Sequence, residues 1–219
     1  MNISQKMIST LTATMLLSAC CTTSSDSVKS DIYGTRPGPV FQPMKMSTRD
    51  LNVLSDAAEE VVKIVNDPKF RDGLNTQSWR AGCGTNTLLV SGSDIINDLQ
   101  NNTLQTTLRK KNSRGAKATT TFTRFPATGA VRASMRIDPD RFNDWHKGPQ
   151  YKANMINTLL HETLHLVPSA TAYDMSNTTD YFQKYTDQGH NTNGCNDPEI
   201  ASYVIGNLAE KIWLENNTE

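Results

Sequence analysis

The feature that most constrains this chain is the run Thr158-Leu159-Leu160-His161-Glu162-Thr163-Leu164-His165-Leu166-Val167. On a helix, His161 and His165 stand four residues apart, so both imidazoles project from one face about one turn apart. That is the separation at which two ring nitrogens can grip one zinc ion. Glu162 lies one step round and can reach a metal-bound water without ligating the metal. The positions between and beside these three residues are uncharged, which buries the helix and dries the site. The chain has only four histidines (His146, His161, His165 and His190), so the pattern rarely arises by chance. The alternative is a pair of surface histidines on a core helix beside a solvated glutamate.

At 219 residues the chain fits one domain with a sizeable core. Lys plus Arg and Asp plus Glu both number 22, so no global charge draws it to nucleic acid or to an anionic membrane. Hydrophobic residues make up 37% and fall in periodic runs, the mark of a folded body rather than a disordered one. No run reaches the ~18 apolar residues that a membrane-spanning helix needs.

The N-terminus stands apart. Residues 1–19 carry Lys6 as their only charge and a mildly apolar stretch from Met7 to Leu17, the outline of a secretory signal peptide. Leu17-Ser18-Ala19-Cys20 resembles a bacterial lipobox; a buried N-terminal helix is the plainer reading. The resemblance implies that Cys20 is lipidated and becomes the new N-terminus, which anchors the chain to a membrane without a spanning helix. Cys21, rather than an aspartate, follows it, and in such lipoproteins that leans towards the outer membrane facing the periplasm. Residues 20–46, rich in Ser, Thr, Pro and Gly, read as a flexible tether, leaving 47–219 as the folded domain. Cys83 and Cys195 are then a natural disulfide in an oxidising compartment, with two buried free thiols as the alternative. In the chain-entropy model such a bridge contributes about 4 to 5 kcal/mol.

Periodicity sketches the elements. Ser47 reads as an N-cap, followed by Leu51, Leu54, Ala58, Val61 and Val65 at helical spacing until Asn66-Asp67-Pro68. A short strand over Thr87 to Val90 and a brief helix capped by Ser93 come next. Arg109 to Lys117 reads as a basic hairpin turn, then Thr119 to Phe125 as a strand. Val131, Ala133, Met135 and Ile137 alternate with polar residues, the cleanest strand pattern in the chain. Asp144 to Gln150 reads as a polar loop; the motif helix begins near Tyr151 and is cut by Pro168. A long loop over 169–194 precedes a helix opened by Asp197-Pro198-Glu199, with Ile200, Val204, Ile205, Leu208, Ile212 and Trp213 as its core face.

The motif with its flanks resembles the signature of the zincin metallopeptidases over about ten residues. The resemblance implies an α+β fold: a compact catalytic domain with a small mixed or antiparallel sheet, an active-site helix, and flanking N- and C-terminal helices. In such domains the strand before the motif helix lies along the cleft and can pair with an extended substrate. It also implies zinc-dependent peptide-bond hydrolysis in the bacterial envelope, with zinc-activated water and Glu162 as general base. The alternatives are a non-catalytic lipoprotein with a structural zinc site and a peptidoglycan amidase. A catalytic zinc takes three protein ligands, so one joins His161 and His165. His190 is the favoured third; Asp187 and Asp174 come next, and Glu199 fits the gluzincin scheme. Pro168 and Thr171 stand where the metzincin pattern has glycine and histidine, while the early helix stop resembles that group and the aspzincins. Tyr185 is the preferred oxyanion donor among Tyr173, Tyr181, Tyr185 and Tyr203. The expected partners are a peptide or protein substrate and a membrane reached through the lipid anchor, with the protein a monomer.

Overall fold

The computed structural model describes residues 30–31, 40–83, 88–101, 105–112, 116–124, 131–168, 183–187 and 199–218. Its first long helix, α1 (Thr48–Asn66), begins where expected: the Ser47 hydroxyl accepts the Asp50 N–H, capping a free donor of the first turn. Val53, Leu54, Ala57, Val61, Ile64 and Val65 make its buried stripe. Asp67 closes this helix and its side chain caps the next, α2 (Pro68–Leu74), so a sequence that reads as a stop is also a start. Further along lie α3 (Gly92–Asn101), α4 (Pro139–Asp144) with a 3-10 turn over Trp145–Lys147, the motif helix α5 (Pro149–Leu164) and α6 (Ala201–Asn217). The cap of α3 is Ser91 rather than Ser93; its hydroxyl accepts the Asp94 N–H while Asp94 accepts the Ser91 N–H.

Five strands form a mixed sheet: β1 (Ser30–Asp31), β2 (Val40–Pro43), β5 (Gln105–Lys110), β6 (Ala118–Arg124) and β7 (Val131–Ile137), in the order β1-β2-β5-β7-β6. The strands β2, β5 and β7 run parallel, and β6 pairs antiparallel with β7. A separate two-stranded piece joins β3 (Trp79–Arg80) to β4 (Leu89–Val90). Two expectations change here. The basic segment from Arg109 does not turn a hairpin, because β7 inserts between β5 and β6; Arg109 and Lys110 are the last residues of a strand. The folded body also begins before residue 47. Val40–Pro43 is a strand, and Phe41 within it is 0% exposed in the core, so the tether is shorter than its composition suggests.

The fold is therefore α+β, six helices and a small mixed sheet among the described residues. One face of β7 (Ala133, Met135, Ile137) is buried while Arg132, Ser134 and Arg136 take the other, as the period of two requires. Beside this inner face lies α5, whose Met155, Ile156, Leu159, Leu160 and Leu164 are 0% exposed. Gly148, at φ 145, supplies the backbone turn that only glycine adopts easily before Pro149 starts that helix. Helix α6 packs closely on α5 because Gly206 has no side chain; a Cβ there would overlap the Asn157 amide oxygen and lie 3.2 Å from its carbonyl oxygen. Glu210 fastens the pair, accepting from Gln150 at 2.6 Å and Asn157 at 2.7 Å. Among the described residues no helix is long and apolar enough to cross a membrane. Truncating Phe41 to alanine removes a core side chain, so urea unfolding is expected to show a loss of about 3 to 5 kcal/mol. A residue in a flexible tether would show almost none.

Candidate metal centre

The helix α5 holds His161 in its last turn and His165 at its C-cap, still in helical conformation at φ −63 and ψ −17. The i, i+4 spacing thus survives to the end of the helix, with the ring centroids 4.9 Å apart. Beyond it Leu166 and Val167 form a closing turn, and the segment 183–187 returns alongside: Pro168 bridges Gln183, and the Lys184 N–H donates to the Val167 carbonyl at 2.9 Å. The Thr186 N–H donates to the Ala81 carbonyl, also at 2.9 Å. This antiparallel return carries Asp187 to the histidines.

Three donor atoms converge there. Asp187 Oδ2 lies 2.8 Å from His161 Nε2 and 3.1 Å from His165 Nε2, and the two Nε2 atoms are 3.2 Å apart. Tetrahedral zinc ligands at about 2.0–2.1 Å stand about 3.3 Å from one another, so this triangle is close to the face of such a tetrahedron. The chemistry of the set points the same way. His165 Nδ1 donates to the Tyr185 carbonyl at 3.0 Å, and a carbonyl can only accept; in the neutral ring, Nε2 therefore presents its lone pair to the other two donors. Lone pairs so close need a cation or protons between them. The other carboxylate oxygen, Oδ1, accepts from Ser202, which lies in the first turn of α6 and is fully buried. The negative end of α5 thus favours a cation, and the positive end of α6 favours the carboxylate.

The charges respond to this packing. Burial pushes the His165 imidazole down, but the Asp187 carboxylate, with Glu162 and the Tyr185 carbonyl behind it, outweighs that and carries it up to about 9. Burial likewise works against ionised Asp187, and the two imidazoles overcome it, holding the carboxyl far below its usual range. Glu162 is 6% exposed; its Oε2 accepts the Thr120 hydroxyl of β6 at 2.7 Å. The Tyr203 ring meets His161 edge-on, with centroids 4.8 Å apart.

The structure thus gathers His161, His165, Glu162 and Asp187. Asp187, ranked behind His190 in the sequence, is the donor beside the pair; His190 and Asp174 lie outside the described residues, as do Cys20 and Cys195. Glu199 is elsewhere, exposed and 3.6 Å from Arg80. Cys83 is disulfide-bonded. Tyr185 serves the site through its backbone rather than its phenol. The side chain is 0% exposed and donates to Asp98 at 2.5 Å; burial and that carboxylate push the phenol up, so it keeps its proton. Ser202 went unnoticed in the sequence, where a lone serine near a helix start carries no signal beyond capping. The strand before the motif helix, β7, is paired on both sides, and among the described residues the edge strands are β1 and β6. Comparisons with protein-family models, curated proteins and solved structures find no match to this chain.

Two outcomes follow from this geometry. Ser202→Ala removes the donor to Asp187 Oδ1, so competition against a zinc chelator is expected to show an affinity about 10- to 100-fold weaker. In chelator-treated protein, the folded state favours protonated His165, whose ordinary value is 6.5. That stabilisation is complete below about 6.5 and vanishes as pH rises through about 9, so the melting temperature falls across that window. Zinc-loaded protein is expected to show no such fall, because the metal replaces the proton.

Proposed function

We propose that this chain is a zinc-dependent peptidase of the zincin type, with His161, His165 and Asp187 as the metal ligands and Glu162 as general base. The observation that carries this reading is the convergence of two imidazole nitrogens and one carboxylate oxygen within hydrogen-bonding distance, on a helix that bears a glutamate next to the first histidine. An aspartate in third place fits the aspzincin branch of the resemblance, as does the helix that ends at Leu164. The wider architecture is compatible: a small mixed sheet, the motif helix beneath it, and α1 and α6 on the flanks.

When bound, zinc supplies a Lewis acid that acidifies water and polarises the scissile carbonyl. The chain's own groups do the rest. The Tyr185 carbonyl and Ser202 hold His165 and Asp187 in register. Glu162 takes a proton from the attacking water as the new C–O bond forms, then delivers it to the nitrogen as the C–N bond breaks. With the Tyr185 phenol committed to Asp98, Tyr203 beside His161 is the oxyanion donor we assign. An extended substrate adds to the free edge of β6. We place the enzyme in the bacterial envelope, lipid-anchored at Cys20 and probing the periplasm; the disulfide at Cys83 supports an oxidising compartment.

Purified protein is expected to carry about one zinc per chain and to hydrolyse an unfolded protein substrate. Glu162→Gln is expected to retain the metal by atomic absorption while its kcat drops by about 100-fold or more. Full activity in that variant would overturn the mechanism.

A further inference from the structure

The motif helix and the sheet make a polar contact through Glu162 and Thr120. Thr120, on β6, is half-buried and donates its hydroxyl to Glu162 Oε2 at 2.7 Å; the same hydroxyl lies 3.3 Å from the Glu162 carbonyl oxygen. Thr120 pairs in register with Met135 of β7, so its Cα is fixed by the sheet rather than by a loop. Its side chain shares the inner face with Ala118 and Phe122, which alternate with outward Thr119, Thr121 and Thr123. On that face a threonine among apolar neighbours is an expensive choice unless its hydroxyl has a partner, and Glu162 is that partner.

The carboxylate is left asymmetric. Oε2 is tied to the strand, while Oε1 takes no hydrogen bond from the described residues. A buried glutamate, with three rotatable torsions counting that of its head group, has many ways to turn; one short bond from a rigid strand removes most of them. We infer that Thr120 is a positioning residue: it pins Glu162 by one oxygen so that the other faces the reacting water. This rests on the peptidase reading above. Because β6 is an edge strand among the described residues, the strand that would receive an extended substrate is the strand that aims the base.

The test compares Thr120→Val, which keeps the β-branched shape and removes the donor, with Thr120→Ser, which keeps the donor. Zinc content, melting temperature, KM and kcat are measured for each. The 13C carboxyl resonance of Glu162 is also followed in metal-free protein, assigned by its disappearance in Glu162→Gln. The inference expects Thr120→Val to keep its zinc and its KM within about twofold while kcat falls about 10- to 100-fold. It expects the Glu162 resonance to move, and Thr120→Ser to restore both kcat and the resonance. An unchanged kcat or an unmoved resonance in Thr120→Val overturns the inference and leaves the peptidase reading standing. Zinc-loaded wild-type protein that hydrolyses nothing overturns the peptidase reading and this inference with it, even if the resonance responds.

Discussion

The candidate metal centre is built around the hydrogen bond from His165 Nδ1 to the Tyr185 carbonyl. In the neutral ring it settles which nitrogen carries the proton, and so which one offers a lone pair. It also joins the end of the motif helix to the segment that brings Asp187. Break it, and His165 keeps only Asp187 and His161 to hold its ring, while the carboxylate loses one of its two fixed imidazole neighbours. A backbone carbonyl suits this task because it has no rotamer of its own; its position is set by the Lys184–Val167 and Thr186–Ala81 bonds on either side.

The rest of the structure can be seen as support for that bond. Tyr185 is locked by its phenol, which shares Asp98 with Lys184, so the side chain of α3 steadies a carbonyl that serves α5. Helix α6 closes the other side through Ser202 and Tyr203, and it can do so only because Gly206 allows close approach to Asn157. The sheet contributes through Thr120. The returning segment, α6 and the sheet thus converge on one helix end, and α3 supports the first of them, in an otherwise apolar setting.

The legible parts of the sequence were those in which burial imposes a period. The α1 stripe, the alternation in β7 and the two histidines of α5 all follow from one face meeting the core. The strand β5 did not announce itself: Gln105-Thr106-Thr107-Leu108-Arg109-Lys110 has one aliphatic side chain and ends in two cations. It is a strand because β2 and β7 flank it in parallel, a pairing with partners distant in sequence. The third donor was hidden for a related reason. Asp187 reaches the site through backbone hydrogen bonds of the returning segment, and those leave no mark on side-chain identity. The sequence favours His190, the only histidine downstream of the motif, which lies outside the described residues; the donor those residues place beside the pair is Asp187.

The uneven anchoring of the three donors has a consequence for how the site can come apart. Both imidazoles ride on a rigid helix with a fully buried apolar face. The carboxylate sits on the returning segment, which is held by backbone bonds to Val167 and Ala81, by Tyr185 and Lys184 on Asp98, and by buried Ser202. Detachment of that segment would release the carboxylate and leave the histidine pair on its helix. Because the donors come from two separate pieces of chain, a two-pronged site would outlive the three-pronged one, and any chelation of metal by the chain would weaken stepwise rather than all at once.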